Sequence, residues 1–156
     1  MAQTRLAFKK KWYQSHYQIF DDKDQLIAYT ESPSVFSRVI NIYNDRGDLQ
    51  LQLKRDLFSS SRFEFLDKDN VFVAKLRARW TLTKFHLELA DSRKFDLVKK
   101  DWGKRLEIIS DGSSIGLISS STSSFNKIGA VVEELDSIIL CGCVIAIAKV
   151  RRETGQ

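Results

Sequence analysis

The chain has 156 residues, 43% hydrophobic and 29% charged, with one proline and seven glycines, which excludes disorder and suits one domain with a real core. A net charge of +5 and a pI near 9.2 permit contact with anionic surfaces. The two cysteines, Cys141 and Cys143, exclude a disulfide framework, and Met1-Ala-Gln-Thr-Arg-Leu6 lacks a secretory apolar region, so a reducing, cytoplasmic setting is expected.

Arg5–Lys11 opens the chain as a candidate strand. A unit then recurs in which an apolar arm enters an Asp/Asn-rich turn and a second β-patterned arm leaves it. Its copies are Tyr17-Gln-Ile-Phe-Asp-Asp-Lys-Asp24, Asn41-Ile-Tyr-Asn-Asp-Arg-Gly-Asp48, Glu64-Phe-Leu-Asp-Lys-Asp-Asn70, His86-Leu-Glu-Leu-Ala-Asp-Ser92 and Glu107-Ile-Ile-Ser-Asp-Gly-Ser113. Aligned on the last apolar residue of the first arm (Phe20, Tyr43, Leu66, Leu89 and Ile109), they are spaced by 23, 23, 23 and 20 residues. A fixed period sets architecture before anything else.

Each copy reads as a hairpin. Leu49, Leu51 and Leu53 alternate with Gln50, Gln52 and Lys54, the two-residue period of a half-buried strand. Phe72, Ala74, Leu76, Ala78 and Trp80 are expected on one face of the next arm, with Val71, Val73, Lys75, Arg77 and Arg79 on the other. Phe85, Leu87 and Leu89 alternate with His86 and Glu88. Asp, Asn and Gly in the turns tolerate left-handed backbone or bond their own main chain. Ser59–Ser61 and Ser119–Ser124 read as polar connections. Five hairpins over about residues 12–120, with Arg5–Lys11 and Asn126–Glu133, give an antiparallel meander of ten to twelve strands.

Ser137–Ala148 breaks the pattern as an uninterrupted apolar run. Asp136 stands before it as an N-cap, and Lys149, Arg151 and Arg152 follow it, the charge order a helix dipole favours. Twelve helical residues span about 18 Å, too short for a bilayer but equal to the height of a β-barrel. A barrel wider than about eight strands needs a filling, so a helix over about 136–150 is predicted to plug it and leave no large lumen. Gly142 costs about 1 kcal/mol of helix propensity, and close approach of a wall side chain is the reason expected for it.

The arm–turn units, such as Tyr17-Gln-Ile-Phe-Asp-Asp22 and Ile42-Tyr-Asn-Asp-Arg-Gly47, together with the closing Asp136–Ala148 run, resemble the tubby C-terminal-like superfamily. That superfamily includes the tubby C-terminal domain, the phospholipid scramblases and the LURP-one-related proteins. The likeness covers about residues 5–152 and implies a closed twelve-strand barrel around a C-terminal helix. The length looks most like the LURP-one-related type. The cysteine-rich tract and Pro-rich N-terminal region of the scramblases have no counterpart here, so lipid flipping is not carried over. Phosphoinositide binding at a surface is an expectation of the resemblance.

The strongest candidate chemistry is basic. Lys75, Arg77 and Arg79 share a strand face, Lys99, Lys100, Lys104 and Arg105 cluster around Trp102, and Arg93 and Lys94 sit in an adjacent turn. Converging cations hold phosphorylated head groups through charge-assisted hydrogen bonds, and an indole suits the membrane interface. A plain solvated face, or protection against edge pairing, is the competing reading. The turn acids Asp21, Asp22, Asp24, Asp67 and Asp69 lack the ligand spacing of a calcium loop and read as hairpin corners. Cys141 and Cys143, about 200° apart on a helix, cannot share a metal and read as small buried hydrophobes. His16 and His86 have no evident catalytic partner in the sequence, and no phosphate loop or nucleophile elbow occurs. The sequence therefore predicts one domain over residues 1–156, a mainly β closed barrel around a buried helix. It is expected to be non-enzymatic and free of cofactors and metals, cytoplasmic and at most peripheral to a membrane. Its expected ligand is anionic phospholipid or phosphoinositide, with a protein-interaction or scaffold role as the alternative and nucleic acid disfavoured for want of a recognition motif.

Overall fold

The alternating arms and Asp/Asn corners produce twelve strands and one helix in the computed structural model, which describes residues 3–10, 16–32, 38–57, 59, 61–79, 83–100, 105–120 and 127–153. The strands are β1 (Thr4–Lys9), β2 (Gln18–Phe20), β3 (Leu26–Glu31), β4 (Val39–Asn44), β5 (Leu49–Arg55), β6 (Arg62–Asp67), β7 (Phe72–Ala78), β8 (Lys84–Leu89), β9 (Lys94–Lys100), β10 (Arg105–Ser110), β11 (Ser113–Ser120) and β12 (Lys127–Val132). The helix, α1, is Ser137–Glu153. Every strand pairs antiparallel with its neighbours in sequence, and β12 returns to β1 from Thr4↔Val132 to Lys9↔Lys127. The barrel is thus closed and leaves no unpaired edge. Ser119 and Ser120, expected in a connection, end β11 instead, and 121–126 lie outside the described residues, as do Trp80 and Lys11.

The five repeated units are the hairpins β2–β3, β4–β5, β6–β7, β8–β9 and β10–β11, whose turns share one end of the barrel. In the first three, the side chain of the corner residue organises the turn. Asp21 Oδ1 accepts from Lys23 N–H (2.9 Å) and Gln25 N–H (3.0 Å). Asn44 Oδ1 does the same for Arg46 and Asp48, and Asp67 Oδ1 for Asp69 and Val71. Three residues after each corner, Asp24, Gly47 and Asn70 have φ of 60°, 87° and 64°, the left-handed residue that closes a three-residue hairpin loop. These acids are hairpin corners whose oxygens serve the backbone.

Four of the five hairpins carry a register shift at the residue on which the repeat aligns: Phe20, Tyr43, Leu66 and Ile109. One residue of the returning strand is extra at each shift, namely Ile27, Gln50, Val73 and Ile115. Such bulges bend the strand and reset its facing. Ile27, Val73 and Ile115 therefore pack against the core. Phe72, expected inside, is 39% exposed, and Leu49 is only half-buried. Beyond the bulges the expected alternation holds, with Leu51, Leu53, Phe65, Ala74, Leu76, Phe85 and Leu87 inward.

The helix fills the barrel. Asp136 Oδ1 accepts from Ile138 N–H at 2.8 Å, which caps its N-terminus. Every residue from Leu140 to Ala148 is buried. At 17 residues α1 outlasts the apolar run, because Lys149, Arg151 and their neighbours continue it to the far end of the barrel. There buried Arg151 lies with Leu106, Ile118 and Ile128, and burial pulls its guanidinium pKa down. The helix sits closest to β5, β6 and β12. A Cβ on Gly142 would stand 2.8 Å from Leu51 Cδ2 and 2.9 Å from Phe65 Cε2, so the glycine is what lets the helix meet this wall. A void of about 20 Å³ beside Val144 and Ile147 is smaller than a ligand. No described helix is long and apolar enough to cross a membrane.

Candidate anion-binding groove

On the outer face of β5–β8 the register assembles two rows of charge. The first runs Lys54, Glu64, Lys75, Glu88, Lys94 across β5 to β9, with opposite signs facing at every step. Lys75 Nζ lies 3.5 Å from Glu88 Oε2 within it. This ladder stabilises the sheet by ordinary cross-strand pairing.

The second row breaks that rule. Arg62 on β6 faces Arg77 on β7, which faces His86 on β8. Like charges directly opposite destabilise a sheet, and among the described residues neither Arg62 nor Arg77 has an ion pair. On the β9 side, His86 Nδ1 is 2.7 Å from Asp96 Oδ1, and Lys84 Nζ is 3.6 Å from Asp96 Oδ2. The row lines a groove of about 650 Å³, together with Lys54, Arg55, Asp56, Glu64, Lys75, Glu88 and Leu57, and Asp56 N–H donates to Arg62 O at 2.9 Å, which sets an acid opposite Arg62 on the β5 side. Leu57, 70% exposed, stands where β5 leads toward β6. A second hollow, about 550 Å³ over β1–β3, is lined by Lys9, His16 and Glu31. Its Lys9 is already engaged by Asp24 at 3.3 Å and lies over the Phe20 ring.

The structure separates the cations singled out in the sequence. Lys75 and Arg77 line the groove, Lys75 in the neutralised ladder and Arg77 in the cationic row. Arg79 follows β7 at the far end of the barrel, where its N–H donates to Lys84 O. Lys100 faces Arg105 across β9–β10, and half-buried Lys99 shares the inward parity of Phe95 and Leu97. Trp102 and Lys104 lie outside the described residues. Arg93, in the turn before β9, and Lys94, the first residue of β9, lie at the opposite, turn end instead of beside the patch, and Arg93 Nε donates to Asp91 Oδ2 at 2.9 Å. The Arg93 backbone N–H, chiefly, holds the Asp91 carboxyl below its usual pKa. Sequence reading missed Arg62, Lys54 and the His86–Asp96 pair. Counting back from the Asp67–Asn70 turn, with one residue for the bulge, would have paired Arg62 with Arg77.

The cysteines are buried as expected, at 1% exposure each. Burial pushes the Cys141 thiol up to about 12 and raises that of Cys143 as well. Neither is a nucleophile at neutral pH.

No protein-family model matches the sequence, and no curated protein is similar enough to count as a relative. Among solved structures, the chain is similar to the X-ray structure of a protein from Arabidopsis thaliana, AT5G01750. The match has a TM-score of 0.71 and 15% sequence identity, and covers 96% of this chain and 92% of that one. That likeness shows a shared fold over nearly the whole of both chains.

Proposed function

We propose that this protein is a non-enzymatic binding domain that holds anionic phospholipid or phosphoinositide head groups at a membrane surface through its basic outer face. One observation carries the reading: Arg62 and Arg77 face one another in a cross-strand row lining a groove of about 650 Å³, with acids only at the two ends of the row, Asp56 and Asp96, instead of between the cations as in the row beside it. A folded sheet tolerates such a local conflict where a ligand resolves it. Two guanidiniums converging on one groove suit a phosphate group, whose oxygens accept their N–H donors in pairs. Arg79, Lys99, Lys100 and Arg105, with the expected Lys104 and Trp102, would add attraction to neighbouring lipids at the far end, each basic side chain near an anionic surface contributing about 1 kcal/mol. The resemblance to tubby-like proteins supports the same reading.

Co-sedimentation with phosphatidylcholine vesicles, with and without phosphoinositide, tests it. Binding should require the anionic lipid, weaken as salt shortens the screening length, and fall about tenfold or more in the Arg62→Gln/Arg77→Gln variant. Absence of binding at low salt would sink the proposal.

A further inference from the structure

The groove has a second character that a purely basic patch lacks. Beside the Arg62–Arg77 pair lie the carboxylates of Asp56, Glu64 and Glu88, which line the same groove. They oppose a bare anion, yet they accept hydrogen bonds from hydroxyl groups. His86 belongs with these acceptors. Its Nδ1 meets Asp96 Oδ1 at 2.7 Å, and Lys84 lies 3.6 Å from the other Asp96 oxygen. An ionised carboxylate can only accept, so Nδ1 carries a proton, and in an uncharged imidazole so held the lone pair is on Nε2. With Nδ1 engaged by Asp96, Nε2 is the ring's remaining polar atom toward a ligand in the groove.

Resting on the head-group reading above, we infer that the groove selects phosphate esters bearing free hydroxyls. Arg62 and Arg77 hold the phosphate, His86 Nε2 accepts from a ligand hydroxyl with Glu64 and Glu88 beside it, and Asp96 is the positioning residue that fixes the ring's tautomer. The shared chemistry is a polyol phosphate, whether as a lipid head group or as a free ester.

Calorimetric titration at about pH 8, where an ordinary imidazole is neutral, compares inositol monophosphate with cyclohexyl phosphate, the same ring without hydroxyls. The wild type should bind the inositol ester about 3- to 10-fold tighter, the worth of one or two hydrogen bonds. His86→Phe should bring that ratio near one while cyclohexyl phosphate still binds. Asp96→Asn should lower the ratio and move the imidazole nitrogen resonances toward the other tautomer, a change that loss of fold stability alone does not give. A wild-type ratio near one, or a ratio unchanged in both variants, overturns the inference. Vesicles of phosphatidylinositol or phosphatidic acid separate the two sources. Preference for phosphatidylinositol vesicles over inositol monophosphate assigns the lipid, and the reverse assigns the free ester. Salt-sensitive binding to both vesicles with no hydroxyl preference sinks this inference alone. No binding to any of these anions sinks the head-group reading with it.

Discussion

At Asp21, Asn44 and Asp67 a single side-chain oxygen organises a turn, and this is why those corners are legible in a sequence. The fourth hairpin reaches the same backbone geometry without it. Leu89 N–H donates to Arg93 O, Ser92 N–H to Leu89 O, and Ser92 takes the left-handed φ of 76°. The geometric equivalent of Phe20, Tyr43 and Leu66 is thus Glu88, and alignment on the last apolar residue is one position late there. Single atoms also decide where glycine is required. A Cβ on Gly116 would overlap Val131 O, a backbone atom that cannot swing aside, whereas Gly142 meets side-chain tips. Gly142→Ala should therefore cost about 1–3 kcal/mol in urea denaturation, the usual range for overpacking, and Gly116→Ala more than that. Equal costs would mean that β11 and β12 part easily. The cation rows were only half legible for a related reason. Lys75 and Arg77 are both evident on one strand, but what distinguishes them, Glu64 and Glu88 beside one and Arg62 and His86 beside the other, is set by register across three strands.

The elements follow from pattern more directly. Phe85, Leu87 and Leu89 alternate because β8 has one face on the core, and the run from Leu140 to Ala148 is apolar all round because it is buried on every side. What pattern did not reveal were the bulges: Val73 reads as an outward residue until the register shifts, and Ile27 and Ile115 are the extra residues of two further shifts. The buried helix also has a consequence for pH. Free thiols ionise near 9.0, while burial holds Cys141 protonated to about 12 and raises Cys143 too. Above that lower limit the unfolded chain sheds protons that the folded chain keeps, so stability falls as pH rises, by about 1.4 kcal/mol per unit for each thiol. Below it both states are protonated and these thiols contribute no slope. Urea midpoints at about pH 8 and about pH 10 should drop more for the wild type than for the Cys141→Ala/Cys143→Ala variant. Identical drops would show that the thiols are not held neutral by the barrel.

Across the whole molecule, charge is sorted along the barrel axis. Asp22, Asp45, Asp69, Asp111, Glu134 and Asp136 gather at the turn end, where α1 begins, and Arg38, Arg62, Arg79, Lys100, Arg105 and Lys127 lie toward the far end, where it finishes. The helix dipole therefore has acids at its positive end, and Lys149 and Arg151 at its negative one. A net charge of +5 so distributed would draw the far end toward any polyanion, which is an effect of the field and not of a site. The central claim is that the Arg62–Arg77–His86 row is a site. Arg77→Gln and Lys75→Gln remove the same charge from adjacent outward positions of one strand, so their affinities for phosphoinositide vesicles at fixed salt separate the two effects most directly. The account predicts that Arg77→Gln loses about tenfold, a charge-assisted contact, while Lys75→Gln, already neutralised by Glu64 and Glu88, stays within about twofold. Equal losses in the two variants would contradict it.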